Sequence, residues 1–131
     1  MVAPSGSPAP RRYCVVHSPE RHDGSGQNLI RSFGVSQSTT GSQRLSMAYG
    51  EVPVGATSTR HYHPFETAVF IISGRGRAYF GAHDEECVTV EAGDFLYIAG
   101  EVPHKTENIG STPIQYVLAR AAPEDIVITA E

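Results

Sequence analysis

Apolar and polar positions alternate in short runs along most of the chain, and each run is closed by Gly, Pro, Asn or Asp. Leu45, Met47 and Tyr49 recur at every second position, the period of a half-buried strand with one apolar face. Similar runs predict strands over residues 58–63, 67–73, 77–81, 87–91, 94–98, 106–108, 114–121 and 126–129. Earlier strands are expected over 13–17 and 29–33, with a loop over 18–27 between them. Ala68, Val69, Phe70, Ile71 and Ile72 are apolar without a break, which predicts a strand covered on both faces. One face would meet the interior and the other a second sheet or a second subunit, and the subunit reading implies a homodimer. No window repeats convincingly at the helical period. Roughly eight to ten short strands at spacings of about 8–12 residues point to an all-β sandwich or small barrel.

Composition narrows this. At 131 residues there is room for one domain, with residues 1–12 read as a flexible tail and 13–131 as the domain. The 13 Gly and 9 Pro fit many turns. The net charge of −4 with no basic run excludes the electrostatic footprint of a nucleic-acid binder. No apolar run approaches the ~18 residues of a membrane span, and no secretory leader is apparent. Cys14 and Cys87 form no CxxC pair, so reduced thiols and a cytoplasmic location are expected.

The chemistry concentrates in two stretches. His61 and His63 are two apart, and on a strand this sets both imidazoles on one face, as two nitrogen ligands of a divalent metal require. An H-x-H pair also occurs on solvated strands, so the second stretch matters more. There Gly93 opens a strand that ends in the turn before Pro103 and His104, with Asn108 beyond. Together the stretches resemble the cupin superfamily, whose motifs run G-x5-H-x-H-x3-4-E-x6-G and G-x5-P-x-G-x2-H-x3-N. Gly55, His61, His63 and Gly74 carry the first, and Gly93, His104 and Asn108 the second. Ala99 and Glu101 replace the Pro and Gly of the second motif, and Thr67 and Ala68 stand where the first has its acid.

The resemblance implies a cupin-type double-stranded β-helix, or jelly-roll, barrel and one divalent metal on His61, His63 and His104. Zinc is preferred, with iron, manganese or nickel as alternatives. Glu66 comes one residue early and, because a one-residue slip reverses the face, reaches the metal only if the chain there bulges. It is either a displaced ligand or an acid/base beside a three-histidine site. His17 or His22 would become a fourth ligand only if the N-terminal segment crosses the barrel mouth, and His83 reads as a surface turn residue. Met47, Tyr49 and Tyr97 are the candidates for lining the pocket, whereas Arg44, Arg60, Arg75 and Arg77 read as surface. Neutral ligands leave the full charge on the ion, which suits Lewis-acid chemistry. The leading expectation is a non-redox cyclisation or isomerisation of a carbonyl-containing, polyketide-like substrate, as in cupin polyketide cyclases. A cupin dioxygenase is the first rival, and a non-enzymatic small-molecule or metal-binding module the second.

Overall fold

The computed structural model describes residues 12–17, 22–23 and 29–130. Most of the expected tail, and most of the loop expected over 18–27, lie outside them. Among the described residues the strands are β1 (His22–Asp23), β2 (Ile30–Val35), β3 (Ser46–Val52), β4 (His61–Tyr62), β5 (Thr67–Ser73) and β6 (Arg75–Phe80). They continue with β7 (Glu86–Glu91), β8 (Phe95–Ile98), β9 (His104–Asn108), β10 (Ile114–Arg120) and β11 (Ile128–Thr129). One helical turn, α1 (Gln37–Thr40), stands between β2 and β3. Ser36 caps it, and Gly41 ends it in the left-handed region at φ 74°.

The strands form two antiparallel sheets, ordered β1-β2-β3-β10-β5-β8 and β11-β4-β9-β6-β7. They pack as a jelly-roll barrel, the expected fold. Ala48, Val52, Ile71, Ile114, Tyr116 and Leu118 from the first sheet meet Val90 of the second in one buried cluster. Each inward side chain removes apolar surface from water, worth about 1.5–3 kcal/mol for a Val, Leu or Ile.

Several expectations change. Residues 13–17 belong to no strand, and His22–Asp23, expected as loop, pair with β2. The strands expected over 58–63 and 126–129 shorten to β4 and β11, which pair with each other. In β3 the period of two holds but its phase is reversed. Ser46, Ala48, Gly50 and Val52 face inward, while Leu45 and Met47 are about half exposed. Small residues take the inner positions because the interior beside Gly50 is filled from β10: a methyl group there would overlap the Tyr116 ring. The outer face of β5 is also open within one chain, with Ile72 44% exposed.

Candidate metal centre

His61 opens β4, His63 follows its end, and His104 opens β9, which pairs with β4 so that His61 and His104 are direct cross-strand partners. All three are buried, and their ligand atoms lie within 4.8 Å of one another. Each Nδ1 meets a backbone carbonyl: Thr59 at 2.6 Å for His61, Ile126 at 2.7 Å for His63 and Val102 at 2.9 Å for His104. A carbonyl only accepts, so Nδ1–H donates and each Nε2 keeps its lone pair for the centre. The His63 Nε2 is buried without a hydrogen-bond partner among the described residues, a cost that a metal ion would remove. Burial first, then His104, lowers His61 to a pKa of about 3. Burial and then Arg120 lower His63 to about 3, and burial also lowers His104. At neutral pH all three are uncharged, the form that ligates. The donor set therefore fits a divalent ion, and the three histidines could hold one.

The turn before β9 keeps His104 in place. Glu101 takes a left-handed φ of 67°, the conformation for which glycine is favoured, and its N–H donates to the His63 carbonyl at 2.6 Å. One loop is thereby tied to the other across the site.

Beside the centre a cavity of about 60 Å³ runs into the barrel. His61 and His104 form part of its wall, with Thr67, Tyr116 and aliphatic side chains. Two arginines also line it, Arg31 of β2 and Arg120 of β10, at 3% and 4% exposure. Arg31 Nε donates to the Tyr116 hydroxyl at 2.8 Å. Arg120 Nη1 pairs with Asp125 Oδ1, and its Nε donates a long bond to Thr67 Oγ1 at 3.4 Å. Burial and then Arg31 lower Arg120 to a pKa of about 10, so it stays charged at neutral pH.

The family model for the cupin domain matches residues 48–119, more than half of the chain. The chain belongs to the cupin family. An uncharacterized protein of Methanocaldococcus jannaschii is 37% identical over 81 residues, covering 61% of this chain and 62% of its own. Among solved structures, the polyketide cyclase RemF from Streptomyces resistomycificus superposes with a TM-score of 0.75 at 12% identity, over 92% of this chain and 86% of that one. Oxalate decarboxylase from Bacillus subtilis superposes with a TM-score of 0.71 at 22% identity, over 87% of this chain but 30% of that one. This cupin thus spans less than two thirds of the archaeal relative and under a third of the decarboxylase.

Within this cupin the other sequence-derived site residues fall outside the centre. Glu66 is exposed and its carboxylate accepts from the Tyr97 hydroxyl. No bulge turns it inward: Thr67 takes the buried position, at 3% exposure. Tyr97, 62% exposed, points away from the cavity that its neighbours Leu96 and Ile98 line. Met47 and Tyr49 follow the reversed phase of β3 and also leave the wall. His17 is exposed and outside the cluster, as is His83, while the side chain of His22 lies outside the described residues. Arg60 pairs with Asp84 at 2.8 Å near the surface. Cys14 and Cys87 are free thiols. No helix among the described residues is long and apolar enough to cross a membrane.

The sequence reading missed Arg31 and Arg120. Arg120 carried a usable signal, since it continues the inward series Ile114, Tyr116 and Leu118 at a period of two.

Proposed function

We propose that this cupin is a metal-dependent enzyme performing non-redox chemistry, a cyclisation, isomerisation or elimination, on a small molecule that bears a carbonyl group. The observation that carries the reading is the donor set: three buried, neutral imidazoles with oriented Nε2 atoms and, among the described residues, no carboxylate with them. His61, His63 and His104 would hold a divalent ion, with zinc the expected one, which would keep its full charge and would supply Lewis-acid polarisation of a substrate oxygen.

The protein's own groups do the rest. The backbone carbonyls of Thr59, Val102 and Ile126 hold the imidazoles in one tautomer. The aliphatic wall excludes water from the reacting oxygen. Glu66, on the outer surface, takes no part in proton transfer. The Tyr116 hydroxyl, which lines the cavity and accepts from Arg31 Nε, is the proton donor in this proposal.

A polyketide-like substrate has only the shared fold behind it. The cavity, about 60 Å³, suits a smaller molecule, because binding pockets for drug-sized ligands run about 300–1,000 Å³. The same proposal takes the protein to act as a homodimer, joined through the outer face of the six-stranded sheet.

The test is elemental analysis of the purified protein together with turnover of small carbonyl compounds under argon. Zinc with oxygen-independent turnover supports the proposal. Iron with a strict oxygen requirement replaces it with a dioxygenase, and metal binding without turnover replaces it with a binding module.

A further inference from the structure

Two cationic side chains lie inside a small barrel and share one carboxylate. Among the described residues the ion pairs of Arg31 and Arg120 both go to Asp125. Arg120 has the close contact, whereas Arg31 Nη1 is 3.8 Å from Asp125 Oδ2, too far for a hydrogen bond. That Nη1 is buried and, among the described residues, has no hydrogen-bond partner. A buried guanidinium left with an unmet donor is costly, and more so beside a second one. Such an arrangement is stable against simple loss of the charge because an arginine does not deprotonate near neutral pH.

The placement says what removes the cost. Both arginines line the cavity that His61 and His104 also line. The neighbouring polar wall groups, Thr67 and Tyr116, are neutral hydroxyls already engaged with the two guanidiniums. Among the described residues, two arginines against one aspartate leave a positive charge uncompensated, and an ion on the histidines would add two more. Guanidinium donors in a fixed fork match a carboxylate.

We propose that Arg31 and Arg120 form an anion subsite beside the three histidines, and that the substrate is a small organic acid whose carboxylate occupies it. The inference deepens the proposed function by specifying its substrate class: the carboxylate is held by the arginines, and an adjacent carbonyl oxygen is left for the metal side. The cavity volume limits the acid to a few heavy atoms. Pyruvate has this composition.

The probes are pyruvate and its uncharged amide, pyruvamide, titrated calorimetrically into the protein in low-chloride buffer, as purified and again after chelation. Pyruvate should bind at least about tenfold more tightly than pyruvamide in both preparations. Arg31→Met should remove that preference without loss of zinc binding. Because the change deletes a buried charge with an unmet donor, its melting temperature should equal or exceed that of the parent. Equal affinity for the two probes overturns the subsite, and this comparison needs no variant to fold. Phosphate competing with pyruvate while pyruvate itself shows no advantage over pyruvamide means an inorganic-anion site and also overturns it. Retention of the pyruvate preference after chelation separates the subsite from the metal reading: the subsite then stands even if the histidines prove to bind no metal.

Discussion

Each imidazole of the centre is held by a different backbone carbonyl, so removing one ring leaves the other two oriented but only two donors for an ion. His61→Ala and His104→Ala should each lower zinc affinity by more than about 100-fold, the upper end of what loss of a supporting group alone costs. Glu66→Gln should leave zinc content and affinity unchanged, since that carboxylate is bonded to Tyr97 on the outside. Competition with a chromophoric chelator measures all three, and loss of zinc in the Glu66 variant would restore it as a ligand. The same burial has a thermodynamic consequence for the metal-free protein. In the unfolded chain a histidine takes up its proton near pH 6.5, but folded His61 and His63 do so only near pH 3. The unfolded state therefore binds more protons between those values, and stability falls as the pH is lowered through this window and is flat above it. The slope is at most about 1.4 kcal/mol per pH unit for each histidine. Urea unfolding of chelated protein between pH 4 and 8 reads it, and stability that does not decline below pH 6 contradicts the buried neutral assignment.

At the level of the elements, the centre depends on how β4 and β9 are joined to their neighbours. The turn at Glu101 carries a left-handed residue with a side chain, which costs of order 1 kcal/mol or more. Glu101→Gly relieves that strain but gives the unfolded chain more freedom. It should raise stability by about 0.5–1 kcal/mol net, seen as a higher urea midpoint at constant slope. The opposite holds at Gly74, where φ is 91° and an added Cβ would lie 2.7 Å from the Ile114 backbone. The difference between these two turns also explains what was legible beforehand. The H-x-H pair and His104 could be read from the sequence because their spacing follows the strand period and the turn keeps its form even with Glu101 in it. Thr67–Ser73 was legible to the residue because its apolar run is unbroken. The phase of β3 was not, because Met47 and Tyr49 are more hydrophobic than the Ala48 and Gly50 that face the core. Size, set by Tyr116 on a strand more than sixty residues away, decided which side was inner. Arg31 and Arg120 were hidden for a related reason. A charged residue on a strand reads as solvent-facing until its partners in the fold, here Tyr116 and Asp125, are known.

For the whole molecule the informative surface is the outer face of the six-stranded sheet. Cross-strand register places Tyr49, Val117, Phe70 and Phe95 in one row and Met47, Ala119, Ala68 and Tyr97 in the next. The Phe70 and Phe95 rings are 4.8 Å apart, and Phe95 is 81% exposed. Neither row contains a charge, although the chain carries a net charge of −4. Contiguous apolar surface of this kind marks an association site. A second copy is the occupant these rows suit: a two-fold axis lays each row against its own equivalent, and the nearby carboxylates of Glu51 and Glu66 are bonded to the Tyr49 and Tyr97 hydroxyls at the rows' margins. In such a dimer the unbroken apolar run of β5 would have both faces covered, one by the barrel interior and the other by the partner. Light scattering after gel filtration should give twice the 14.1 kDa chain mass. Phe95→Asp should return it to the single-chain value, because burying a carboxylate in an apolar interface costs several kcal/mol, with zinc content unchanged since the cavity lies on the other face. A parent protein that elutes at the single-chain mass, or a Phe95→Asp protein that remains dimeric, would exclude this face as the interface.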